Sequence, residues 1–329
     1  MNRAANALGP TQQLFNQEGQ LGTGHYLLTV VAEHPCRSST QLLKFTLEDA
    51  SGRVTGLMWP EYRAHITCPA RLSPVAVSGE VYRYEGRAQI RVQGVMTLSA
   101  DQVSSATALI PRQHCPEAAL RGLDRLARLE AELPAPLDGF LRSVLLDPAI
   151  TLPFLRCRAS ANHHHSFVVG LLVHSTEMLD AAAVLTRQAL PDDSWSPHIA
   201  ELGYLLHDLG KLKSVGDVRR PEFALVVPHE FHTFEMLAPH LRWLEQRDLG
   251  LAMAMRQLFS YLATPAKARK ISSYFVAEVI EMLDQMSAAS HNRRDLDHLL
   301  AGPCAADTKA RAASSFPPGA VAPRLYAAG

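Results

Sequence analysis

Two apolar runs that carry polar side chains decide the fold of the second half of this chain: Gly170-Leu171-Leu172-Val173-His174 and Tyr204-Leu205-Leu206-His207-Asp208-Leu209-Gly210-Lys211. Their apolar residues have the spacing of buried helices, and the first run is expected within a helix from Phe167 to about Gln188. A buried imidazole or carboxylate has to be paired, and a divalent cation is an efficient partner. At a helix end, His207 and Asp208 can both point into one cleft. The pattern therefore predicts a helical region with a metal site.

Length and composition describe a globular protein with enough apolar residues for a large core. The chain has 329 residues, 47% of them hydrophobic, which allows about two domains. Its 32 Lys and Arg residues balance 32 Asp and Glu residues, so no global field attracts nucleic acid or an anionic membrane. The N-terminal segment lacks the apolar core of a signal peptide, and no run reaches the roughly 18 apolar residues of a membrane span. The five cysteines are scattered without CxxC spacing, which favours reduced thiols. We therefore predict a cytoplasmic protein without a membrane partner.

The N-terminal part of the chain alternates polar and apolar residues in the manner of half-buried strands. The predicted strands are Tyr26–Ala32, Leu42–Leu47, Val54–Met58, Val75–Tyr84 and Ala88–Met96. Turn residues separate them at Asp49-Ala50-Ser51-Gly52 and at Glu85-Gly86-Arg87, as hairpins require. Five short strands predict a small β-barrel over residues 21–100, preceded by an N-terminal extension over residues 1–20.

Two segments of this barrel resemble the OB-fold nucleic-acid-binding domains. The stretch from Leu43 to Val54, followed by Leu57-Met58-Trp59, is similar to their opening hairpin, and Tyr82 to Val92 is similar to their fourth and fifth strands. Such barrels bind single strands by stacking bases on aromatic rings and by contacting phosphates with Lys or Arg. The candidate substrate-binding residues are Trp59, Tyr82, Tyr84, Arg83, Arg87 and Arg91. The alternative is that Trp59 and one tyrosine are barrel core, that the arginines are an ordinary solvated face, and that the barrel binds protein.

The rest of the chain divides by composition into a linker, a helical domain and a tail. Residues 101–117, which contain serines and prolines, predict a linker. Leucines at helical spacing open a helical domain predicted over residues 118–302, with a loop or short hairpin around residues 214–227. Residues 303–329 are rich in Ala, Pro and Ser and predict a disordered tail. The predicted fold class is therefore multidomain α and β: a five-stranded OB-type barrel followed by an all-α domain.

The predicted metal site needs one more ligand from far downstream. Asp284 is the best candidate because it is an acid within an apolar helical stripe, although Glu278 and Glu281 compete on the same helix. The candidate metal ligands are His174, His207, Asp208 and Asp284. Such a set of nitrogen and oxygen ligands suits Mn, Fe, Zn or Mg and leaves room for water. The alternative for His174 is an ordinary buried histidine with a hydrogen-bond partner.

These residues also carry a family resemblance. His174, the His207-Asp208 pair and Asp284 resemble the H…HD…D signature of the HD-domain metal-dependent phosphohydrolases, an all-helical fold. A longer series behind the barrel is more closely similar to the YhaM-type 3′-to-5′ exoribonucleases. The series comprises His163-His164-His165, Gly170-Leu171-Leu172-Val173-His174, Leu206-His207-Asp208-Leu209-Gly210-Lys211 and Pro228-His229-Glu230. The resemblance extends from about residue 24 to residue 288, in the same domain order.

The resemblance implies a hydrolase, usually Mn-dependent, that removes nucleotides from the 3′ end of single-stranded RNA or DNA. It implies that Asp208, a metal ligand, takes part in catalysis with Lys211, which contacts or neutralises the phosphate, and with His229 near the site. It further implies that His164 and His165 line the substrate side. A homo-oligomer is also expected by analogy with the family.

The chain departs from the family pattern at a second potential metal position. Leu258-Phe259-Ser260-Tyr261-Leu262-Ala263 stands where the family carries His-His-Gly, and Asp284 is followed by Gln285-Met286-Ser287 in place of an acidic cluster. We therefore expect one tightly bound metal ion at most. The basic run of Lys267, Arg269 and Lys270 is open to two interpretations, a set of phosphate contacts or a solvated loop.

Two other functions stay open. One is a phosphohydrolase of small nucleotides in which the barrel serves assembly or regulation. The other is a weakly active or inactive nucleic-acid adaptor related to the HD domains of conjugative relaxases, which the missing His-His-Gly favours. No motif distinguishes RNA from DNA, because that choice depends on contacts to the 2′-hydroxyl.

Overall fold

The structure is a computed structural model, and it describes residues 6–35, 41–63, 69–161, 165–216, 226–269 and 274–300. Among the predicted features, His163, His164, most of the loop around residues 214–227 and the C-terminal tail lie outside the described residues. The chain divides into two compact units, residues 1–283 and residues 284–329. The first unit contains the barrel and most of the helices.

A closed β-barrel occupies the N-terminal part of the first unit. Its strands are β1 (Asn6–Ala7), β2 (Leu21–Pro35), β3 (Gln41–Asp49), β4 (Gly52–Met58), β5 (Ser73–Tyr84) and β6 (Arg87–Thr97). The strand order is β1-β2-β3-β4-β6-β5, and pairing of β2 with β5 closes the barrel. Strands β4 and β6 are parallel, whereas the other pairs among β2 to β6 are antiparallel. This is the five-stranded Greek-key topology of an OB fold, and it confirms the predicted fold class.

The alternating sequence pattern becomes the two faces of the barrel wall. In β4, Val54 and Met58 are buried in the core, whereas Arg53 is exposed on the opposite face of the strand. The predicted hairpin turn lies where expected, between Tyr84 at the end of β5 and Arg87 at the start of β6. Because side chains alternate across a strand, every second residue of β4 is available for a partner outside the barrel.

The residues ahead of the first long strand are part of the barrel wall. A 3-10 helix, η1 (Thr11–Gln17), buries Leu14 completely in the barrel core. The Asp49 carboxylate holds this helix, because it accepts hydrogen bonds from the Thr11 backbone N–H at 2.6 Å and the Thr11 hydroxyl at 2.8 Å. As a result, Phe15 of η1 is fixed beside the outer face of the barrel.

The segment between barrel and helices is structured and packed. It contains the short 3-10 helices Thr107–Leu109 and Arg112–His114. Glu130, which is buried, accepts hydrogen bonds from the backbone N–H groups of Ala106 at 2.6 Å and Thr107 at 3.1 Å. Leu109 shares a small apolar cluster with Ala76 of β5. These contacts join the segment to both the barrel and the helices.

The remainder of the described chain is helical. The α-helices are α1 (Pro60–Arg63), α2 (Glu117–Glu132), α3 (Leu137–Leu145), α4 (Thr151–Phe154), α5 (Gly170–Glu177), α6 (Leu179–Ala189), α7 (Ser196–Leu206), α8 (Lys211–Ser214), α9 (His229–Glu245), α10 (Leu249–Ala263) and α11 (Phe275–Leu300). Helix α1 lies between β4 and β5 and packs on the barrel core through Tyr62, whereas a single large apolar core from Ala106 to Leu283 joins the other helices within the first unit. No helix among the described residues is long and apolar enough to cross a membrane.

The prediction of one helix from Phe167 to about Gln188 is wrong, because the helix is interrupted. It is two helices, α5 and α6, that meet at Met178, whose backbone angles of −113° and 16° leave the helical region. Just before the break, the Thr176 hydroxyl donates a hydrogen bond to the Leu172 carbonyl at 2.8 Å. Such hydroxyl bonds to the preceding turn bend helices, and the leucine periodicity does not report them.

Candidate functional site

Three of the predicted metal ligands meet at the buried ends of α5 and α7. His174 is fully buried on α5, and its Nε2 atom lies 3.3 Å from Oδ2 of Asp208. His207, directly after α7, places its own Nε2 atom 3.4 Å from the same oxygen. Each of these three residues offers a ligand atom within 4.8 Å of the others. Helical packing thus converts two distant sequence motifs into one cluster of nitrogen and oxygen donors.

The orientation of His207 leaves one ring nitrogen facing the cluster. Its Nδ1 atom lies 2.7 Å from the carbonyl oxygen of Tyr204, one turn earlier on α7. A carbonyl can only accept, so Nδ1 carries a proton, and Nε2 is the ring nitrogen that can bind a metal ion. This arrangement, in which the second ring nitrogen is fixed by a backbone carbonyl, is typical of histidines that bind metals.

Asp208 is the electrostatic centre of the cluster. Its side chain is buried, and burial alone would raise the pKa of its carboxyl. Electrostatic attraction to His207 and Lys211 and contacts with the rings of His174 and His229 outweigh burial and hold the pKa of Asp208 well below its usual range. The carboxylate therefore stays ionised at neutral pH, which a metal ligand requires.

Two further predicted residues contact the same carboxylate. The Lys211 ammonium group forms an ion pair with Oδ2 of Asp208, and Nε2 of His229 lies 2.9 Å from its Oδ1 atom. Burial lowers the pKa of His229, but its hydrogen bond to Asp208 and the nearby charges of Asp208 and Glu230 raise it overall. His229 is about one third exposed, at 32%, so it covers Asp208 on the solvent side.

A glycine and a threonine lock the His-Asp turn against α9. A Cβ atom added at Gly210 would lie 1.7 Å from the carbonyl oxygen of His229, so only glycine permits this approach. The Thr233 hydroxyl accepts a hydrogen bond from the Gly210 N–H at 2.8 Å and donates one to the His207 carbonyl at 3.0 Å. The glycine that follows the His-Asp pair in Leu-Gly-Lys is therefore required for packing. It lets α9 approach closely enough to place His229 beside Asp208.

A second group of polar side chains lies beside His174. Oε1 of Glu177 is 3.2 Å from Nε2 of His165 and 3.4 Å from Nδ1 of His174. Among the triple histidine, His165 is the described member, and it is buried. Sequence reasoning missed Glu177, although its position three residues after His174 on a helix is a signal for contact.

The competitors of Asp284 for the role of fourth ligand are engaged elsewhere. The Tyr261 hydroxyl donates a hydrogen bond to Glu278, and Arg269 pairs with Glu281 through two guanidinium nitrogens. Asp284 itself is half-buried and is the first residue of the second unit. Its role as a ligand stays a prediction.

The positions that depart from the family pattern belong to the helical core. Leu258 and Phe259 of α10 are buried, and Tyr261 is buried beside Arg269, whose guanidinium lies 4.0 Å from the ring centroid. Apolar side chains here offer no metal ligand. Of the basic run, Lys270 lies outside the described residues, and Arg269 is held by Glu281 and Tyr261.

A groove of about 1090 Å³ runs along the outer face of the barrel. Its walls combine aromatic and basic side chains. They include Phe15, Lys44, Arg53, Trp59, Tyr82, Tyr84, Arg87 and Arg91. Trp59 and Tyr82 are half-buried and Tyr84 is exposed, so aromatic faces are available on the groove side.

The predicted groove residues differ in how they are held. Arg91 lies between Trp59 and Tyr82, with its guanidinium carbon 5.6 Å and 5.5 Å from the two ring centroids, and pairs with Glu80 at 3.1 Å. Arg83 does not line the groove. It pairs with Glu18 at 2.8 Å and lies 3.8 Å from the Phe15 ring centroid.

Sequence reasoning missed two basic residues of the groove. Lys44 of β3 and Arg53 of β4 are exposed and line it, together with the predicted Arg87. None of these three forms an ion pair with a residue in the part of the chain that the structure describes. The alternation of β3 and β4 could have indicated both, since they share the face opposite the buried residues of these strands.

Comparisons with known proteins add a relationship to nucleases. The chain is 26% identical over 206 residues to the 3′-5′ exoribonuclease YhaM of Halalkalibacterium halodurans, covering 61% of each chain. It is 23% identical over 205 residues to the enzyme of the same name from Bacillus velezensis, covering 61% of this chain and 62% of that protein. The chain thus spans less than two thirds of the length of these relatives. It is similar to the YhaM-type exoribonucleases, as the sequence motifs indicated.

No family model matches the chain. Solved structures overlap it at low similarity. The second OB-fold domain of replication protein A from Methanococcus maripaludis is 20% identical, with a TM-score of 0.21, over 25% of this chain and 86% of that one. An OB domain from Methanosarcina mazei is 19% identical, with a TM-score of 0.22, over 25% and 75% of the two chains.

Proposed function

We propose that this protein is a metal-dependent phosphodiesterase that removes nucleotides from the 3′ end of single-stranded RNA or DNA. The observation that carries the proposal is the convergence of His174, His207 and Asp208 on one buried cluster, in a chain similar to 3′-5′ exoribonucleases. The helical part would be an HD-type domain, and the barrel would present the strand to it.

The donor set fits a divalent cation. Two imidazole nitrogens and an ionised carboxylate oxygen lie within 4.8 Å of one another, and Asp284 is proposed as the fourth ligand. When bound, the metal ion would lower the pKa of a water molecule and polarise the scissile phosphate. We propose Mn, with Mg, Fe or Zn as alternatives, because nitrogen and oxygen ligands discriminate weakly among these ions. The apolar Leu258 and Phe259 support one ion rather than two.

The neighbouring residues would bind and orient the phosphodiester. Lys211 neutralises Asp208 in the structure and would offer its ammonium group to a phosphate oxygen. His229, whose raised pKa favours its protonated form, would donate a proton to the departing oxygen. His165, with His164 as its predicted neighbour, would line the substrate side. These roles are consistent with the partly exposed position of His229 over the buried carboxylate.

The barrel groove would hold the strand ahead of cleavage. Bases would stack on the rings of the exposed Tyr84 and the half-buried Trp59, and cations of the groove would contact successive phosphates. Lys44, Arg53 and Arg87 would supply these charges. Arg91, held between two rings, would keep the stacking faces in place.

The test is a gel assay with 5′-labelled single-stranded RNA and DNA oligonucleotides, each with Mn, with Mg and with a chelator. We expect a ladder that shortens from the 3′ end with Mn and is absent with the chelator. Asp208→Asn should abolish the ladder while strand binding, measured by gel shift, persists. The matched control is Asp147→Asn, because Asp147 also pairs with a histidine, His240 at 3.3 Å, outside the cluster.

The assay separates the proposal from its rivals. Undiminished cleavage by Asp208→Asn would refute the assignment of the site. Release of phosphate from mononucleotides with intact strands would favour the small-nucleotide phosphohydrolase. Strand binding without any turnover would favour the adaptor, which the core residues at positions 258 and 259 support as the second candidate.

A further inference from the structure

The side chain of Glu177 connects two buried histidines. Its Oε1 atom lies 3.4 Å from Nδ1 of His174 and 3.2 Å from Nε2 of His165. The ring centroids of His165 and His174 are 5.6 Å apart, and Glu177 is largely shielded, with 20% of its side chain exposed. One carboxylate oxygen therefore serves two imidazoles inside the fold.

The loop before α5 builds this contact at the cost of unusual backbone angles. His165 and Val169 have positive φ angles, 53° and 74°, which residues other than glycine rarely adopt. A Cβ atom at Gly170 would lie 1.9 Å from the His165 carbonyl oxygen. The loop is thus folded tightly against the start of α5, and this close return brings His165 to Glu177.

His174 has a different neighbour on each ring nitrogen. Its Nε2 atom faces Asp208 at 3.3 Å in the proposed metal cluster, whereas Nδ1 faces Glu177. A neutral imidazole can present a lone pair on only one nitrogen while the other carries the proton. Asp208 beside Nε2 and Glu177 beside Nδ1 compete for that proton in the metal-free protein, whereas a metal ion on Nε2 leaves the proton on Nδ1, where the Glu177 carboxylate accepts it.

We propose that Glu177 is a positioning residue for His174. Its carboxylate keeps the proton on Nδ1, and His165 holds the carboxylate in place, so that Nε2 is directed at the metal. This inference rests on the proposed function, since it concerns the same cluster. The group His165, His174 and Glu177 could alternatively hold a cation of its own. That arrangement would require both nitrogens of His174 to act as ligands at once, with the loss of both ring protons.

The chain contains a matched control pair. His198 and Glu201 have the same spacing of three residues on α7, with Nδ1 of His198 3.2 Å from Oε2 of Glu201. This pair is absent from the groups that could hold a metal ion among the described residues. Glu201→Ala removes the same chemical group from a similar helical pair without touching His174.

The first experiment titrates Mn²⁺ into chelator-treated full-length protein by calorimetry. We expect one ion per chain and an affinity about 10–100-fold lower in Glu177→Ala, the range for loss of a group that orients a ligand. Glu177→Gln, which keeps an acceptor oxygen without the charge, should lose less. Glu201→Ala should bind as the wild type does. An unchanged Mn²⁺ affinity in Glu177→Ala would overturn the inference. So would the binding of two ions by the wild type and of only one by Glu177→Ala.

The second experiment reports the tautomer of His174 directly. In metal-free Asp208→Asn protein labelled with ¹⁵N-histidine, which lacks the competing carboxylate at Nε2, two-bond ¹H–¹⁵N spectra should give a protonated Nδ1 for His174, with or without Glu201→Ala. His174→Gln assigns the signal. Glu177→Gln should mix the two tautomers, and an unchanged spectrum would overturn the inference even if Glu177→Ala fails to fold. If wild-type protein binds no Mn²⁺, the proposed function fails, and this spectrum still decides the role of Glu177.

Discussion

A methyl group added at Gly210 would push the His-Asp turn away from the start of α9. A Cβ atom there would lie 1.7 Å from the His229 carbonyl oxygen and 2.7 Å from the Thr233 backbone nitrogen. Backbone atoms cannot move aside as a flexible side chain can. We expect Gly210→Ala to displace the start of α9 and to reduce cleavage at least about 100-fold, the loss expected for a misplacement of roughly 1 Å.

The control for this prediction is Gly250→Ala on α10. Its added Cβ atom would meet the half-buried Asp248 side chain at 3.3 Å, so a side-chain oxygen and not the backbone has to shift, by a few tenths of an ångström. Alanine also favours a helix over glycine by about 1 kcal/mol. Cleavage rate and thermal unfolding are measured for both variants. A Gly210→Ala protein with normal activity would show that the approach of His229 to Asp208 is not needed.

A second residue-scale prediction concerns Thr233, which is buried. Thr233→Val keeps the side-chain shape but leaves the Gly210 N–H and the His207 carbonyl without this partner. Buried polar groups that lose a hydrogen bond cost about 1–3 kcal/mol each. We expect a loss of stability of that order in urea unfolding, together with weaker Mn²⁺ binding because the His-Asp turn is loosened. Unchanged stability would contradict the role of Thr233 as the lock of this turn.

At the residue scale, the sequence predicts side chains whose neighbours lie within a motif. His207, Asp208 and Lys211 are near one another along the chain, and a helix end brings them together. The contact of His165 with Glu177 depends on positive φ angles at His165 and Val169, which no apolar periodicity reports. The contact of Glu177 with His165 therefore could be found only in the folded structure, whereas its contact with His174 is indicated by their spacing of three residues.

At the element scale, Asp193 holds the start of α7, whose other end carries the His-Asp pair. Its carboxylate accepts hydrogen bonds from the Ser196 hydroxyl at 2.6 Å and from the backbone N–H groups of Ser196 at 3.0 Å and Trp195 at 2.9 Å. The hydrogen bonds from Ser196 lower the pKa of Asp193 below its ordinary value. We expect Asp193→Ala to destabilise the protein by about 1 kcal/mol near neutral pH, the typical net contribution of side-chain hydrogen bonds of this kind.

The pH dependence of this effect follows from the sign of the pKa shift. A carboxyl whose pKa is lower in the folded state stabilises the fold above its unfolded pKa and loses that contribution as the pH falls through the folded value. The difference between wild type and Asp193→Ala in urea unfolding should therefore shrink as the pH falls below the ordinary carboxyl pKa of 3.8. Asp193→Asn is the control, because it keeps an acceptor without the charge. A difference that grows on acidification would refute the assignment.

The elements also show where periodicity stops being informative. The barrel strands could be predicted because each has one buried face and a turn at its end. The break between α5 and α6 could not, since Met178 lies in a continuous apolar pattern and the bend comes from the Thr176 hydroxyl bond to Leu172. A pattern of burial reports which face is apolar, but local side-chain to backbone bonds decide where the helix turns.

For the whole molecule, a formal net charge of zero makes any binding of nucleic acid a local property of the groove. Each phosphate neutralised on a single strand contributes roughly 0.7 to the slope of log affinity against log salt. Lys44→Ala should therefore weaken strand binding and lower that slope by about 0.7. Arg256→Ala is the control, because Arg256 of α10 is paired with Glu245 of α9 at 2.6 Å and does not line the groove. Equal effects of the two substitutions would contradict the groove as the binding surface.

The connection between barrel and helices depends on Glu130. Both of its carboxylate oxygens are used: one accepts from the Ala106 N–H, and the other accepts from Ser105 and Thr107, including both the N–H and the hydroxyl of Thr107. Glu130→Gln replaces one oxygen with an amino group that cannot accept. We expect a loss of about 1–3 kcal/mol in urea unfolding, because at least one buried donor is left unpaired.

If the connecting segment positions the barrel for the proposed nuclease, Glu130→Gln should reduce activity as well as stability. Its 3-10 helix Thr107–Leu109 packs between β5 and the helical core, and Glu130 fixes the start of that helix. Glu130→Gln should therefore impair cleavage of strands more than cleavage of a dinucleotide, since a dinucleotide needs no barrel. Glu132→Gln, at an exposed position on the same helix, should change neither. Equal loss on both substrates would mean that Glu130 supports the helical core alone, and that the barrel contributes to binding without depending on this connection.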